Sequence, residues 1–414
     1  MYEASRGALM CGIAGVMHMD GALADPGLLR RMIQKVQYRG PDDDGVYVDQ
    51  QVGLAHVRLS IIDPALGHQP MQDESGSLWI TFNGEIFNYV ELRAELVRKG
   101  HRFLTHSDTE VILHHYAEKG EKCVEDFNGQ WAFAIWDKKK RKLFLSRDRL
   151  GVRPLFYTLH DRAFLFASEM KSLLSCPGVP RQIDPVGLDQ IFTYWVTLPP
   201  RTIFRGIHEL PPGMSLSVQD GKLETRRYWQ LNYPSHNGGM IGPKAERDVA
   251  SRLMDLLVDA TRLRLRADVP VGAYLSGGLD SSVITAVVKK YTDNPLKTFS
   301  VTFEDAEFDE SAYQKEVSRA LGVERLEVRC ADEAIGRVFA RVIWQTERPI
   351  LRTAPAPLYI LSSLVRDNGY KVVLSGEGSD EMLGGYDLFK EAKIRRFWAA
   401  CPDSKIRPLL LKRL

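Results

Sequence analysis

Cysteine is scarce in this chain, and its spacing excludes the usual cysteine-based sites. The 414 residues include five cysteines, an odd number, widely separated and without a C-x-x-C pair. This pattern argues against a disulfide framework and a zinc site and favours a reducing compartment. Long apolar runs are also lacking, since no run approaches the ~20 residues of a membrane span. We therefore expect a cytoplasmic protein with no membrane partner.

An excess of charge of either sign is absent as well. Lys and Arg number 55 and Asp and Glu 53, which gives a formal net charge of +2. This balance provides no basic footprint for nucleic acid, so we expect no nucleic-acid partner. Apolar residues make up 44% of the chain, which excludes intrinsic disorder, and the length is sufficient for two or three domains.

The N-terminal half of the sequence contains short apolar runs separated by turns, which we interpret as strands. The predicted strands cover residues 11–17, 52–62, 78–82, 131–136, 142–146 and 163–167. Two of them flank a basic turn at 137–140 and predict an antiparallel hairpin. Two positions are typical of helix starts. Asp25 is a candidate N-cap followed by a first-turn proline, Pro26, and Ser107 is a candidate N-cap for a second helix. Helices packed on antiparallel sheet indicate an α+β architecture.

The C-terminal half has a different pattern of predicted elements. A stretch rich in Gly and Pro, residues 234–243, is interpreted as part of a linker covering 231–246. Beyond it, predicted strands 269–275, 298–303, 325–328 and 371–374 alternate with predicted helices 281–291 and 310–321. Such alternation indicates an α/β domain with a parallel sheet. We therefore predict a first domain over 11–230 and a second over 247–414.

The most specific motif is the segment S-G-G-L-D-S-S at residues 276–282, between a predicted strand and a predicted helix. Backbone N–H groups at a helix N-terminus attract phosphate, and glycines allow the backbone to approach it closely. Asp280 is interpreted as a Mg²⁺ ligand that bridges to a polyphosphate. The alternative is a glycine-rich turn that caps the helix. The motif lacks the lysine of a Walker A loop.

A second acidic loop, S-G-E-G-S-D-E at residues 375–381, follows the predicted strand 371–374. The carboxyl ends of parallel strands form one crevice, so we expect this loop to face the first one. Asp380 is a candidate for the second Mg²⁺ ligand, and Glu377 is a candidate base. The alternative is helix capping by Ser379 or Asp380.

These two loops resemble the ATP-pyrophosphatase domain of glutamine-hydrolysing asparagine synthetases. The N-terminal half independently resembles the N-terminal-nucleophile glutaminase domain of the same family. The matching motifs are C-G-I-A-G at 11–15, R-G-P-D at 39–42, R-L-S-I at 58–61, N-G-E-I at 83–86 and S-D at 107–108. The resemblance implies an α+β N-terminal-nucleophile hydrolase sandwich followed by an α/β parallel-sheet ATP-pyrophosphatase domain.

The resemblance also implies catalytic roles. Cys11 is the nucleophile, and in the family its own α-amino group takes the thiol proton. The Asn83 amide and the Gly84 backbone N–H form the oxyanion hole. Each residue has a structural alternative, because Asn83-Gly84 is also a strong hairpin-turn pair and Cys11 could be a small buried hydrophobic residue.

Substrate-binding residues follow from the same resemblance. Arg58 suits the α-carboxylate of glutamine, and Glu85 and Asp108 suit its α-ammonium group; Asp108 could instead cap a helix. The expected ATP-binding residues are Leu275, Ser276, Gly277, Gly278, Asp280, Ser281, Ser282, Val301, Ser375 and Gly376.

The implied reaction is ATP- and Mg²⁺-dependent synthesis of asparagine from aspartate, with ammonia from glutamine and a β-aspartyl-AMP intermediate. The expected partners are glutamine, aspartate and ATP, and a homodimer is left open. Two alternatives are kept: another carboxylate acceptor, or a glutaminase-only or non-catalytic fragment that acts as an interaction module. Aspartate-dependent ATP/pyrophosphate exchange distinguishes the acceptors.

Two features depart from the family pattern. Ten residues precede Cys11, so its α-amino group is free only if translation starts at Met10 or a leader is removed. We therefore expect active protein to begin at Cys11. The sequence also ends at Leu414, before an Arg-rich Pro-Phe-Leu-Asp segment and a lysine of the family, so we expect an incomplete synthetase domain.

Overall fold

The computed structural model describes residues 10–233 and 242–413, and the fold is that of these residues. Residues 1–9, and residues 234–241 of the predicted linker, lie outside the described part. We call residues 10–233 the N-terminal half and residues 242–413 the C-terminal half. Within these ranges no helix combines the length and the apolar character needed to cross a lipid bilayer.

The N-terminal half consists of twelve described strands and five α-helices. The strands are β1 Gly12–His18, β2 Asp43–Asp49, β3 Val52–Arg58, β4 Met71–Gln72, β5 Leu78–Ile86, β6 Gly129–Asp137, β7 Lys142–Arg147, β8 Phe156–His160, β9 Ala163–Ala167, β10 Ile207–Glu209, β11 Met214–Gln219 and β12 Lys222–Arg227. The helices are α1 Pro26–Gln34, α2 Tyr89–Arg98, α3 Asp108–Lys119, α4 Met170–Leu173 and α5 Pro185–Tyr194.

These strands form two antiparallel six-stranded sheets that pack face to face. Their orders are β10-β8-β9-β1-β3-β2 and β12-β11-β7-β6-β5-β4. One apolar core lies between the sheets and includes Ile13, Leu54 and Trp136. The other two cores lie on the outer faces, one with α1, α4 and α5 and one with α2 and α3. The result is the predicted α+β sandwich, with helices covering both sheets.

The C-terminal half contains a four-stranded parallel sheet with helices. Its strands are β13 Val271–Tyr274, β14 Lys297–Phe303, β15 Glu324–Cys330 and β16 Val372–Leu374, in the order β15-β14-β13-β16. Its helices are α6 Pro243–Arg264, α7 Leu279–Tyr291, α8 Ser311–Leu321, α9 Asp332–Thr346, α10 Pro355–Asp367, α11 Ser379–Leu383 and α12 Asp387–Ala399. The predicted parallel α/β architecture is confirmed by the β13–β14, β13–β16 and β14–β15 pairings.

The local sequence signals hold well at helix starts. The Asp25 carboxylate accepts from the backbone N–H groups of Gly27 and Leu28, and the Ser107 hydroxyl accepts from that of Thr109. The predicted hairpin is confirmed as β6 and β7. The predicted strand 52–62 is too long, because β3 ends at Arg58 where the chain leaves the sheet toward the cavity described below. Helix α6 begins at Pro243, inside the predicted linker.

Candidate active sites

A cavity of about 350 Å³ lies where the two sheets of the N-terminal half meet the C-terminal half. Strands β1 and β3 pair in one sheet and bring Cys11 beside the end of β3, while β5 contributes residues from the facing sheet. The sequence-predicted residues that line this cavity are Cys11, Arg58, Asn83, Gly84, Glu85 and Asp108. The structure thus brings together all six residues predicted for glutamine hydrolysis, from segments almost 100 residues apart.

Hydrogen bonds to Leu59, just after β3, and to Arg39 fix the position of Cys11. Its thiol donates to the carbonyl of Leu59 at 3.5 Å and accepts from the Leu59 N–H at 3.3 Å. Its carbonyl accepts from Nε of Arg39 at 2.9 Å. Burial raises the pKa of the Cys11 thiol above its usual range, although the charges of Arg153, Arg58 and Arg39 act in the opposite direction. The thiol is therefore protonated near neutral pH and needs a base to become a nucleophile.

Asn83 and Gly84 lie within a strand, so the hairpin-turn alternative for this pair is wrong. Both belong to β5, which pairs with β6 along its whole length. The Asn83 side chain is buried, and its Nδ2 finds no hydrogen-bond acceptor among the described residues. A Cβ at Gly84 would lie 2.0 Å from the carbonyl oxygen of Gln130, so the close approach of β6 requires glycine there. An unpartnered amide donor at a cavity wall suits a developing oxyanion.

Arg58 lies at the cavity with its guanidinium already partly engaged. Nη1 donates to the carbonyl of Pro64 at 3.0 Å, and Nη2 donates to the carbonyls of Ile62 and Asp63 at 3.1 and 2.6 Å. Arg58 therefore shapes the loop after β3 as well as the cavity. An N–H of Nη1 and that of Nε remain for a substrate carboxylate, because a guanidinium has five donors.

Two buried carboxyl groups share this cavity. Burial raises the pKa of Glu85 to about 7, with the charge of Arg153 opposing the shift and that of Asp108 adding to it. Burial likewise raises the pKa of Asp108 to about 6, although its carboxylate accepts from the N–H of Ile86 at 2.9 Å. Ser107 is the N-cap of α3, so the helix-cap alternative for Asp108 is wrong. Two carboxyl groups at one cavity wall suit a substrate ammonium group, because a bound cation would favour their charged forms.

Arg153 and Met10 belong to the same cavity and were not predicted as site residues. The Arg153 guanidinium contacts the Met10 sulfur, and its Nε has no described partner. Burial lowers the pKa of Arg153 from its ordinary value, with the charge of Glu85 opposing the shift. No local pattern marks Arg153 in the sequence, because it reaches the cavity only through the fold. Its positive charge lies near both the thiol and Glu85.

The C-terminal half closes one side of this cavity. Lys371, Val372, Val373 and Ser375 line it, and all four lie at or beside β16. Lys371 Nζ donates to the Asp42 carboxylate at 2.6 Å and to the carbonyl of Ser60 at 3.3 Å. Ser375, predicted to bind ATP, therefore also faces the cavity of Cys11. The loop at 375–381 therefore begins at the wall of the cysteine cavity, directly after β16.

The predicted phosphate loop lies between β13 and α7, as expected. Gly277 has φ +90°, and a Cβ there would lie 2.9 Å from Tyr313. Helix α7 begins at Leu279, two residues before its predicted start, and Gly278 provides no side-chain cap. The N-terminus of α7 therefore keeps free N–H groups next to Asp280, which suits a phosphate.

The serine hydroxyls of this loop are engaged within it. The Ser276 and Ser281 hydroxyls lie 2.8 Å apart, and the Ser282 hydroxyl donates to the carbonyl of Gly278 at 2.7 Å. The sequence analysis did not predict a role for Gln314, yet its Nε2 donates to the carbonyls of Ser276 and Val301. Gln314 is buried and ties the phosphate loop to β14, which places Val301 behind the loop. Leu275 is buried at the end of β13.

The second acidic loop packs directly on the first. A Cβ at Gly376 would lie 2.8 Å from Cβ of Asp280, and one at Gly385 would lie 1.9 Å from the Asp380 carboxylate. Glu377 precedes α11, whose N-cap is Gly378. Ser379 and Asp380 lie in its first turn and neither caps it, so the capping alternative for these two residues is wrong. No group of three or more His, Cys, Asp or Glu suited to a metal occurs in the described ranges. Asp280 and Asp380 stay predicted Mg²⁺ ligands, and carboxylate oxygens are of the type that Mg²⁺ binds together with substrate phosphates.

Comparison with known proteins assigns the chain to a family. A model described as a glutamine amidotransferase domain matches residues 10–229, and one described as asparagine synthase matches residues 252–414. The chain belongs to the glutamine-hydrolysing asparagine synthetase family. Glutamine-hydrolyzing asparagine synthetase 1 of Bacillus subtilis (strain 168) is 37% identical over 387 residues, which cover 92% of this chain and 60% of the relative.

Two other relatives are similar to this chain over most of its length. A putative glutamine-hydrolyzing asparagine synthetase 2 of Methanocaldococcus jannaschii is 35% identical over 399 residues, covering 91% of this chain and 76% of the relative. Amidase chry2 of Gibberella zeae is 32% identical over 409 residues, covering 92% of this chain and 60% of the relative. The chain thus spans three fifths of the length of the B. subtilis asparagine synthetase and of the G. zeae amidase.

Proposed function

We propose that this member of the asparagine synthetase family converts aspartate to asparagine with ammonia from glutamine, at the expense of ATP. The observation that carries the proposal is the joint cavity, in which Cys11 and Asn83 Nδ2, which has no partner in the described part of the chain, share one space with a wall supplied by the C-terminal half. The proposal assigns glutamine hydrolysis to residues 11–230 and adenylation to residues 247–414.

The first proposed step is hydrolysis of glutamine. A free α-amino group at Cys11 takes the thiol proton, and the thiolate attacks the side-chain amide carbon. Asn83 Nδ2 and the Gly84 N–H stabilise the oxyanion, and the α-ammonium group of Cys11 passes its proton to the amide nitrogen, which leaves as ammonia. Water then cleaves the thioester to give glutamate. Arg58 holds the α-carboxylate of glutamine, and Glu85 with Asp108 holds its α-ammonium group.

The second proposed step is adenylation of aspartate. The β-carboxylate attacks the α-phosphorus of ATP, which yields β-aspartyl-AMP and pyrophosphate. The Gly277 N–H and the N-terminal N–H groups of α7 bind phosphate oxygens, while the N–H groups of Ser276 and Gly278 donate to serine hydroxyls of the loop. Asp280 and Asp380 would hold Mg²⁺, which supplies charge compensation for the polyphosphate when bound. Ammonia then attacks the acyl carbon, AMP leaves, and Glu377 takes a proton from the attacking nitrogen.

The position of β16 supports transfer of ammonia between the two sites. Ser375 faces the Cys11 cavity, and the next residues of the same loop pack on Asp280 of the phosphate loop. The loop that follows β16 therefore borders the cysteine cavity at one end and the phosphate loop at the other. A cytoplasmic location and a homodimer belong to this proposal as predictions of the family resemblance.

A second candidate keeps the chemistry and changes the acceptor. Amidase chry2, similar over 92% of this chain, does not carry the asparagine synthetase name. Another carboxylate could therefore replace aspartate at the adenylation site. Aspartate-dependent exchange of pyrophosphate into ATP supports the first candidate, whereas exchange that needs a different carboxylate supports the second.

The division of labour is tested by the substitution Cys11→Ala. We expect it to abolish glutamine-dependent asparagine formation and to leave ammonia-dependent formation at the wild-type rate, because the thiol and the phosphate loop lie in different halves. The matched control is Cys401→Ala, since Cys401 is exposed and far along the chain from either motif. Equal loss of both activities in Cys11→Ala would contradict the proposal. A wild-type protein without either activity, but with a cooperative thermal transition, would favour the interaction-module alternative.

A further inference from the structure

A buried row of charged side chains runs from the C-terminal half to the carbonyl of the nucleophile. Its members, in spatial order, are Glu347, Lys171, Glu169 and Arg39, and it ends at Cys11. The side chains of the four charged residues are each less than a tenth exposed. The proposed reaction assigns none of these four residues a contact with a substrate.

Within this row, the contact between the two halves is made by Glu347. This residue follows α9 with φ +57°, which turns its side chain away from the helix end. Its two carboxylate oxygens accept from the backbone N–H groups of Lys171 and Met170 at 2.6 and 2.7 Å. Lys171 Nζ lies 3.3 Å from the same carboxylate. A residue of the C-terminal half therefore satisfies the first N–H groups of α4 in the N-terminal half.

Inside the N-terminal half the row continues without a gap. Lys171 pairs with the Glu169 carboxylate, which also accepts from Nη1 of Arg39 at 2.6 Å and from the hydroxyl of Tyr38 at 2.7 Å. Arg39 Nε then donates to the Cys11 carbonyl. Buried ions at such distances depend on one another, because removal of one leaves its neighbours uncompensated.

A second connection joins the same segment to Cys11. Ser168 precedes Glu169, its hydroxyl accepts from the N–H of Ile13 at 3.0 Å, and its own N–H donates to the Ile13 carbonyl at 2.9 Å. A displacement of residues 168–171 is therefore transmitted to the start of β1 as well as to Arg39. Both connections end within two residues of the thiol.

We propose that Glu347 of the C-terminal half is a positioning residue for the Cys11 nucleophile of the N-terminal half. The inference rests on the proposed glutaminase function. Glu347 touches no substrate; it fixes residues 169–171, and these fix Cys11 through Arg39 and Ser168. Docking of the two halves thereby completes the geometry of the thiol. Small displacements of a nucleophile lower kcat strongly, so a defect in kcat rather than in KM is the expected signature.

The test compares Glu347→Gln, Glu347→Asp and wild-type protein, each beginning at Cys11 and otherwise complete, in two assays. The first assay measures kcat and KM for glutamine hydrolysis per folded molecule. The second follows alkylation of Cys11 by iodoacetamide, read by peptide mass spectrometry, which is independent of turnover. The matched control is Glu333→Gln, because Glu333 is an exposed carboxylate on α9 itself. We expect roughly a tenfold lower kcat for Glu347→Gln with an unchanged KM, and partial recovery in Glu347→Asp.

The alkylation rate of Cys11 should change in Glu347→Gln and stay at the wild-type value in Glu333→Gln. Wild-type kcat and an unchanged alkylation rate in Glu347→Gln would overturn the inference. A smaller fraction of folded Glu347→Gln protein, with wild-type kcat per folded molecule, would overturn the inference too. Such a result would show that Glu347 has a purely structural role. A wild-type protein that hydrolyses no glutamine would count against the proposed function, while the alkylation rates would still decide the role of Glu347.

Discussion

Glu85 is kept in an environment that favours its neutral form. Its side chain is buried at the cavity wall and has no described hydrogen-bond partner, and burial raises its pKa to about 7 from an ordinary value of 4.5. Between these two pH values the folded protein binds more protons than the unfolded chain, so the free energy of unfolding falls as the pH rises from about 4.5 to 7. Above pH 7 the full cost of the buried charge persists.

The substitution Glu85→Gln should therefore stabilise the folded protein and weaken its binding of glutamine. We expect a higher melting temperature than wild type at pH 8, with a gain of at most about 3 kcal/mol, and a difference that shrinks below pH 5. KM for glutamine should rise tenfold or more, because a charged partner of the α-ammonium group is lost. Differential scanning calorimetry across pH and steady-state kinetics measure both effects.

The exposed Glu224→Gln serves as the control for this prediction and should alter neither quantity. A lower melting temperature of Glu85→Gln at pH 8 would show that the carboxylate stabilises the fold and that its pKa is not raised.

Asp280 and Asp380 are predicted to act on the adenylation step alone. Asp280→Asn and Asp380→Asn remove negative charge next to the phosphate loop without a change of shape, so we expect at least a hundredfold loss of ATP/pyrophosphate exchange and a higher Mg²⁺ requirement. Glutamine hydrolysis should continue at the wild-type rate. The control is Glu316→Gln on α8, which is exposed. An unchanged Mg²⁺ dependence in both Asp variants would refute the ligand assignment.

Residues inside contiguous motifs could be predicted from the sequence, and residues recruited by the fold could not. Short contiguous motifs contain Cys11, Asn83 and Asp280, and the residue types in each motif indicate its chemistry. Arg153 and Gln314 carry no such local mark, because each acquires its role from a partner on another element. Long-range hydrogen bonds leave no periodicity in a sequence.

At the scale of elements, β5 explains why a local turn signal failed. Asn83-Gly84 favours a hairpin in isolation, but nine consecutive pairings with β6 hold both residues in an extended strand. The same balance explains why β12 was missed. Its sequence, Lys222–Arg227, is largely polar and exposed, and it forms a strand because β11 provides the pairing edge. Helix starts were easier, since an N-cap acts within three residues.

Gly84→Ala should damage both the sheet and the site. The added Cβ would lie 2.0 Å from the Gln130 carbonyl oxygen, so β5 and β6 have to separate. We expect a loss of about 3 kcal/mol in the free energy of unfolding and of at least tenfold in glutaminase kcat, because the Gly84 N–H moves with the strand.

The matched control for that prediction is Gly221→Ala, at a turn glycine with φ +72° and open space around its Cβ position. It should cost about 1 kcal/mol and leave glutaminase kcat unchanged. Urea denaturation and initial-rate measurements test the pair. Similar losses of kcat in both variants would contradict the assignment of Gly84 to the site.

At the scale of the whole molecule, Lys371 joins the halves at the edge of the cavity. Its ammonium group pairs with Asp42 and reaches the Ser60 carbonyl. Lys371→Met should leave glutamine hydrolysis within twofold of wild type but lower the yield of asparagine per glutamine, because ammonia escapes where the wall loosens. The exposed Lys393→Met on α12 is the control. An unchanged ratio of asparagine to glutamate in Lys371→Met would exclude this role for the ion pair.

The start of the chain gives a second whole-molecule prediction. The nitrogen of Cys11 is an amide while Met10 is attached, and an amide nitrogen is too weakly basic to accept the thiol proton. Protein that begins at Cys11 should hydrolyse glutamine, and protein that retains residues 1–10 should not. Mass spectrometry of the intact chain alongside turnover decides this. Full turnover with Met10 in place would require another base.

The wall that β16 supplies to the cysteine cavity limits how this protein can be recombined. Lys371 and Ser375 of the C-terminal half form part of the wall of the Cys11 cavity, so an exchange of the C-terminal half also replaces part of that wall. A chimera therefore has to keep β16 matched to the loop after β3 and to Asp42. At this boundary, the residues that face one another across the two halves have to be exchanged together, although they are far apart in the sequence.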